Sequence, residues 1–129
     1  EPEKLRIAYK CMGPERLALV TDAMPCSAME GHAVFHWEGE TYTARDGTCW
    51  NSAGVLSGSA LTMIAAMRNA RRLLDVSLET AAAMASGAPA TAMGLTDRGH
   101  LTPGARADFI IVDPDLASLE TWIGGVRVA

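Results

Sequence analysis

An unbroken apolar run, Leu17-Ala18-Leu19-Val20, constrains this chain more than any other feature. The run ends at Thr21-Asp22 and has no alternating polar residues, which is typical of a strand buried on both faces. Such strands lie in parallel sheets that helices cover, so each needs parallel neighbours. Because the rest of the chain offers few such neighbours, the run predicts one strand of a larger α/β sheet.

The segments on either side of this run predict a helix and a hairpin. Residues 3–12 have helical composition and stop at Gly13-Pro14, a helix terminator. Residues 33–44 alternate around Glu38-Gly39, which predicts two short strands joined by a tight turn. Residues 51–58 are mostly small and predict a loop.

The second half of the chain predicts three helices followed by strands. A helix is expected from Ser59 onwards, with an apolar stripe at Ala60, Met63, Ile64, Met67, Ala70 and Leu74. Ser77 is the expected N-cap of a helix over residues 78–86 that ends at Gly87, and Pro89 and Gly94 bracket a third, short helix. Late strands are expected at residues 108–112, 121–123 and 126–128, the last two joined by Gly124-Gly125.

This order of elements predicts an α/β fold of two parts. Residues 1–107 are expected to be the end of a TIM (β/α)8 barrel, comprising its last strand and the following helices, with a hairpin insertion near residues 33–44. Residues 108–129 are expected to be the closing strands of a small β-sandwich domain. The first residue is not Met, and we expect the sequence to be a fragment of a longer protein.

Composition excludes several classes of protein. The 129 residues include 11 Lys and Arg against 15 Asp and Glu, a net charge of −4, without the basic surplus that nucleic-acid binding requires. No apolar run reaches the roughly 18 residues of a membrane-spanning helix, and we expect no membrane partner and a cytoplasmic location. Three widely spaced cysteines, Cys11, Cys26 and Cys49, fit neither a disulfide framework nor a Cys-x-x-Cys metal site and are expected to be reduced.

Asp22 is the first candidate for chemistry. It follows the predicted buried strand, and catalytic groups of α/β barrels project from the carboxyl ends of the strands. Position alone slightly favours a simple turn-capping role for Asp22.

The loop from Gly54 to Ser59 is the second candidate, because small residues allow a ligand to approach the backbone near a helix start. A simple N-cap at Ser57 or Ser59 explains the same residues. Arg68, Arg71 and Arg72 are expected on a solvated helix face.

The histidines are weak candidates for metal ligands. His32 and His36 lie four residues apart, but in an extended segment this separates them by about 13 Å, whereas nitrogens that share one ion lie within about 4.2 Å. His100 follows Gly99 in a predicted turn, has no visible partner and is expected to be solvated.

Several motifs resemble one family over nearly the whole chain. Leu19-Val20-Thr21-Asp22-Ala23-Met24, the stretch Leu56-Ser57-Gly58-Ser59-Ala60-Leu61-Thr62-Met63 and Met84-Ala85-Ser86 are similar to the C-terminal part of N-acetylglucosamine-6-phosphate deacetylases, in the amidohydrolase superfamily. The tail, with Gly99-His100-Leu101-Thr102-Pro103-Gly104, is shared more widely among amidohydrolases. Residues 25–31 depart from the family's usual alanines and glycines.

The resemblance implies roles for individual residues. Asp22 matches the aspartate that moves protons between the attacking water and the leaving amine, and Leu56, Ser57 and Gly58 match the loop that contacts the sugar phosphate. It also implies a divalent metal, with zinc expected, whose ligands lie upstream of this chain. The expected partners are the sugar-phosphate substrate, the missing N-terminal part of the barrel and, in the complete enzyme, a second subunit of a homodimer.

The resemblance therefore predicts hydrolysis of N-acetylglucosamine 6-phosphate to glucosamine 6-phosphate and acetate by the complete enzyme. The isolated chain, which binds no metal on this interpretation, is expected to be inactive. A dihydroorotase-like or dipeptidase-like amidohydrolase and a non-catalytic interaction module remain as alternatives, the last because an unpaired apolar strand recruits a partner.

Overall fold

The computed structural model describes residues 1–28 and 33–129, which form two compact units. One unit, here called the sheet unit, comprises Val20–Ala66. The other, the helical unit, comprises Glu1–Leu19 together with Met67–Ala129. The chain passes between the units after Leu19 and after Ala66, not at residue 107. The assignment of residues 1–107 to a barrel and of residues 108–129 to a β-domain stays a prediction.

The sheet unit contains a four-stranded antiparallel meander in the order β1-β2-β3-β4. Its strands are β1 Ala33–Trp37, β2 Glu40–Arg45, β3 Thr48–Asn51 and β4 Leu56–Ser59, preceded by a 3-10 turn at Pro25–Ala28. The predicted hairpin is confirmed, since β1 and β2 pair from Ala33↔Ala44 to Trp37↔Glu40. Glu38 and Gly39 both have positive φ, 50° and 82°, as a type I′ turn requires.

The loop expected over residues 51–58 is wrong in its second half, where Leu56–Ser59 forms β4. A second two-residue turn, Asp46-Gly47 with φ of 51° and 75°, leads from β2 into β3. Asp-Gly is a strong hairpin signal that the sequence contained. The residues of β4 have weak strand propensity, so pairing with β3 is what makes this segment a strand.

The core of the sheet unit is built from small side chains. Cys26, Ala44 and Cys49 are buried together. Phe35 and Tyr42 stack beside them with ring centroids 5.4 Å apart.

The helical unit follows the predicted order of helices with shifted ends. Its helices are α1 Pro2–Met12, most of α2 Met63–Leu74, α3 Leu78–Ala85 and α4 Gly87–Ala92. The start expected for α2 at Ser59 is wrong. The helix begins at Met63, and the Thr62 hydroxyl accepts the Ala65 N–H at 3.3 Å, so neither Ser57 nor Ser59 is the N-cap.

The predicted N-cap of α3 is confirmed, because the Ser77 hydroxyl accepts the N–H of Thr80 at 3.2 Å. Gly87 takes the expected C′ position after the C-cap Ser86, α3 ends one residue earlier than expected, and Gly87 also opens α4. Pro89 then lies in the first turn of α4, where a missing N–H is tolerated, and Gly94 follows the helix with φ of 68°.

The predicted late strands are confirmed as a second antiparallel sheet, in the order β5-β6-β7. They are β5 Phe109–Val112, β6 Ser118–Ile123 and β7 Val126–Arg127. Gly124 and Gly125 close the last turn with φ of 57° and 80°.

The strand predicted for Leu17–Val20 is wrong. These residues belong to no strand, Val20 is 73% exposed, and every strand pair in the described residues is antiparallel. The physical reason is that a strand of a parallel sheet cannot form without parallel neighbours. The mixed α/β class is confirmed, whereas the barrel strand is not formed. In the part of the chain that the structure describes, no helix has the length and apolar character to cross a bilayer.

Candidate active site

The structure joins the two parts of the predicted site within the sheet unit. The Ser59 N–H donates to the Asp22 carbonyl at 2.8 Å, and the Met24 N–H donates to the Ser59 carbonyl at 2.8 Å. These bonds make an isolated parallel bridge between Ala23 and Ser59. The segment that carries Asp22 is therefore fixed to the end of β4, the strand that contains all three predicted substrate-binding residues.

Gly58 allows this close approach. It is buried, has φ of 152°, and pairs with Cys49 of β3. A Cβ atom at this position would lie 2.8 Å from Cγ of Met24 and 2.9 Å from the Asp22 carbonyl oxygen. Only glycine lets the Asp22 segment lie against β4, which is a packing reason for the residue that the sequence did not reveal.

Leu56 and Ser57 lie where β4 departs from regular pairing. Trp50 pairs with Leu56 while its neighbour Cys49 pairs with Gly58, so Ser57 is the additional residue of a β-bulge. Leu56 is 55% exposed, and the Ser57 hydroxyl donates to the Val55 carbonyl at 3.1 Å. Bulges re-aim side chains and are frequent beside active sites. The bulged residue, Ser57, lies two residues from Ser59, which forms the bridge to the Asp22 segment.

Asp22 has the geometry of a strained, accessible residue. It is exposed and has φ of 50°, a left-handed conformation that asparagine and aspartate tolerate better than most residues. Such strain is often found at functional sites. Within residues 1–28 and 33–129 its carboxylate has no hydrogen-bond or ion-pair partner.

Two polar side chains hold this site: Ser59, which the candidate loop included, and Asn51, which sequence reasoning missed. The Ser59 hydroxyl donates to the Thr21 carbonyl at 2.5 Å and accepts the Leu61 N–H at 3.0 Å. The Asn51 side-chain oxygen accepts the N–H groups of Ala53 and Val55 at 3.1 and 2.8 Å. The Asn51 side chain thus shapes the loop that enters β4, a role that asparagine before a Gly-containing loop could have suggested.

The two histidines that the structure describes, His36 and His100, make their hydrogen bonds to residues outside this site. His36 is exposed on β1 with its Nδ1 2.9 Å from the Thr41 hydroxyl, and His32 lies outside the described residues, so the argument about that pair stays a prediction. The expectation that His100 has no partner is wrong. Its Nε2 donates to the Thr96 carbonyl at 3.1 Å, and Nδ1 lies 3.0 Å from the Thr102 hydroxyl.

The arginines of α2 divide into two kinds. Arg68, Arg71 and Arg72 are all exposed, as expected. Arg68 differs, because its guanidinium donates to the carbonyls of Asp115 and Leu116 at 3.0 and 2.9 Å. Arg68 therefore holds the turn before β6.

A metal ion would need ligands from outside this part of the chain. Among residues 1–28 and 33–129, no three His, Cys, Asp or Glu side chains are placed to hold one. The described residues thus do not fit a metal centre by themselves.

Comparison with known proteins decides the family. The amidohydrolase family profile matches residues 16–128. The chain belongs to the amidohydrolase family. This finding agrees with the motifs around Asp22 and Leu56–Ser59, all of which lie inside the matched range.

Relatives of this amidohydrolase chain are sugar-phosphate deacetylases. It is 33% identical over 125 residues to N-acetylglucosamine-6-phosphate deacetylase of Vibrio furnissii, covering 96% of this chain and 31% of the relative. It is 36% identical over 117 residues to N-acetylgalactosamine-6-phosphate deacetylase of Escherichia coli O157:H7, covering 89% of this chain and 30% of the relative. These matches confirm the predicted resemblance.

A solved structure shares the fold. The crystal structure of N-acetylglucosamine-6-phosphate deacetylase from Pasteurella multocida superposes with a TM-score of 0.89 at 31% identity, covering all of this chain and 34% of that one. The chain spans about a third of the length of the first two curated relatives it matches.

Proposed function

We propose that this chain is the C-terminal part of a hydrolase that removes the acetyl group from N-acetylglucosamine 6-phosphate. The products are glucosamine 6-phosphate and acetate. The observation that supports the proposal is the close approach of the Asp22 backbone carbonyl to Gly58, next to the bulge of Leu56 and Ser57. The sugar-phosphate deacetylases among the relatives support the choice of substrate class.

Asp22 is proposed to carry the proton. Its carboxylate accepts a proton from the water that attacks the acetamide carbonyl and then delivers a proton to the amine nitrogen as the C–N bond breaks. Positioned proton transfer of this kind is typically worth about 10²- to 10⁴-fold in rate. The hydrogen bonds of the Asp22 carbonyl and the Met24 N–H to Ser59 would fix the backbone that carries the carboxylate during the two transfers.

Leu56, Ser57 and Gly58 are proposed to position the substrate. The bulge at Ser57 interrupts the ladder, so backbone N–H and C=O groups of β4 are open to the hydroxyl and phosphate groups of a sugar phosphate. Gly58 keeps this edge in contact with the Asp22 segment. The substrate and the Asp22 segment would thereby be held at a fixed position relative to each other.

The complete enzyme is proposed to be a (β/α)8 barrel in which residues 1–107 supply the last strand and helices, and residues 108–129 close the small β-domain. In that setting Leu17–Val20 would gain the parallel neighbours that it lacks here. A divalent metal, with zinc expected, would polarise the acetyl carbonyl when bound by ligands from the rest of the barrel. A homodimer stays a prediction of the family resemblance, and a cytoplasmic location stays a prediction of the sequence composition.

N-acetylgalactosamine 6-phosphate is a second candidate substrate. The two sugars differ only in the configuration at C4, and a relative named for the galactosamine compound is 36% identical to this chain. Residues 56–58 are the proposed contacts through which this chain would affect that choice.

A chimaera tests the proposal. Residues 1–129 would replace the matching third of the Vibrio furnissii deacetylase, and acetate release would be measured with the two N-acetylhexosamine 6-phosphates and with unphosphorylated N-acetylglucosamine. We expect turnover of N-acetylglucosamine 6-phosphate and, because a site built for a polar group rejects analogues that lack it, at least a ~100-fold loss without the phosphate.

Two controls bound the result. The isolated chain with added zinc is expected to show no turnover, and any turnover would refute the requirement for ligands from outside the chain. A chimaera that melts like its parent yet hydrolyses neither sugar phosphate would contradict the proposed function.

A further inference from the structure

Two cysteines that are far apart in sequence meet in the core of the sheet unit. Cys26 lies in the 3-10 turn at Pro25–Ala28, and Cys49 lies in β3. Both side chains are 0% exposed and belong to one cluster with Ala44. Both are free thiols in the structure. Neither their spacing nor their number in the sequence suggested that they converge.

The geometry of the cluster brings the two thiols to one spot. Ala44 and Cys49 are register partners across β2 and β3, and Cys26 is the third buried member of the same cluster. Burial is the main reason that the pKa of the Cys49 thiol is raised, and the nearby Cys26 thiol raises that pKa further. A disulfide needs such a pair of adjacent, mutually directed side chains.

The position of the pair connects it to the candidate site. Cys49 pairs with Gly58 of β4, and Cys26 follows Asp22 by four residues. The Asp22 segment is otherwise held to β4 by two backbone hydrogen bonds and by the Ser59 hydroxyl. A covalent bond between Cys26 and Cys49 would close a second connection from the same segment to the same sheet.

We propose that Cys26 and Cys49 form an oxidisable dithiol whose disulfide locks the Asp22 segment onto the sheet. The oxidant is a hydroperoxide such as hydrogen peroxide. Its O–O bond breaks, one S–S bond forms, the two thiol protons leave in two water molecules, and the two sulfurs together give up two electrons. Formation of the disulfide does not depend on the proposed function; only its effect on turnover rests on that proposal.

Peptide mapping tests the dithiol. The full chain is treated with an equimolar amount of hydrogen peroxide under native conditions and digested without reduction, and the linked peptides are quantified by mass spectrometry. We expect the Cys26–Cys49 link to exceed either link to Cys11 by at least tenfold, with a loss of two hydrogens. In concentrated urea the preference should move to Cys11–Cys26, which closes the shorter loop.

Three variants serve as controls. Cys11→Ser should leave the native link unchanged, because Cys11 is exposed and outside the cluster. Cys49→Ser and Cys26→Ala should each abolish it, and two variants are used because a buried hydroxyl could itself disturb folding. In the Cys11→Ser background, oxidation should raise the melting temperature by roughly 10 °C, reversibly with dithiothreitol.

Three results would each overturn the proposal. The first is a native linkage pattern equal to that in urea, and the second is oxidation of Cys11 with Cys26 and Cys49 both left reduced. The third is a Cys26–Cys49 disulfide that leaves the melting temperature unchanged. Since the mapping needs no deacetylase activity, its failure leaves the proposed function standing, and failure of the chimaera leaves the dithiol standing.

Discussion

The two units are stabilised in different ways. In the helical unit the largest fully buried side chains are Met84 and Leu116, whereas in the sheet unit they are Cys26 and Cys49. The sheet unit therefore depends less on apolar volume and more on backbone approach at Gly58 and on polar bonds from Ser59 and Asn51. The comparison teaches that the candidate site lies where close backbone contact, rather than a large core, sets the geometry.

The largest effect on stability is expected from the core of the helical unit. Met84→Ala removes a side chain that is 0% exposed in α3 and should lower the free energy of unfolding by about 3 kcal/mol, as cavity-forming substitutions do. Urea unfolding followed by circular dichroism measures this change. Met93→Ala is the matched control, since Met93 is 76% exposed and its loss should change stability by less than about 0.5 kcal/mol. Equal effects would contradict the assigned core.

The next largest effect on stability is expected in the sheet unit. It sharpens the contrast with the helical unit, because the substitution adds an atom instead of removing several. Gly58→Ala would place Cβ against Met24 and the Asp22 carbonyl, and we expect a loss of about 2 kcal/mol in the free energy of unfolding. Gly54→Ala is the control: its φ of 74° is also unfavourable for alanine, but nothing lies within 4 Å of the added atom. About 1 kcal/mol is expected there. A Gly58 variant no less stable than the Gly54 variant would show that Asp22 does not lie against β4.

A smaller effect is expected at the start of α3. Ser77→Ala removes the hydroxyl that accepts the Thr80 N–H and should cost about 1 kcal/mol, while Ser77→Asp should preserve the cap. The Ser77 hydroxyl is also the main reason that the pKa of Glu79 lies below its ordinary value. An NMR titration of Ser77→Ala should therefore show the pKa of Glu79 rising. An unchanged pKa would argue against this cap.

The smallest effect is a dependence on pH near the last strands. The Arg106 guanidinium, followed by the Gly124 N–H, holds the pKa of Asp108 below its ordinary value. Since the folded chain binds this proton less tightly, the contribution of Asp108 is complete above about pH 4 and is lost as the pH falls through the lowered pKa. The melting temperature of the natural chain should exceed that of Asp108→Asn at pH 6, and the difference should shrink below pH 4. A difference that grows in acid would contradict this sign.

Regular periodicity explains what the sequence could predict. The stripe from Met63 to Leu74, the Ser77 cap and the turns at Glu38-Gly39 and Gly124-Gly125 are local signals, and the elements that depend on them formed with shifts of a few residues. The run Leu17–Val20 failed because its strand depends on neighbours and not on its own residues. Sequence patterns within one segment therefore predicted helices, caps and turns, but not a strand that needs neighbours from elsewhere in a sheet.

The site was predictable in part. Family resemblance brought Asp22 and residues 56–58 together as candidates, and the structure places them in one unit in backbone contact. The bulge at Ser57, the Cβ-free approach at Gly58 and the meeting of Cys26 with Cys49 depend on the register between strands. No pattern along the chain encodes that register directly.

The role of Asp22 is tested most directly by one substitution in the chimaera. With N-acetylglucosamine 6-phosphate as substrate, Asp22→Asn should lower kcat about 10²- to 10⁴-fold and leave KM within roughly threefold, because a lost proton carrier affects the transition state and not substrate binding. Asp46→Asn is the matched control, since Asp46 is also an exposed aspartate with positive φ in the sheet unit, and it should leave kcat unchanged. A folded Asp22→Asn chimaera that keeps its full kcat would contradict the account.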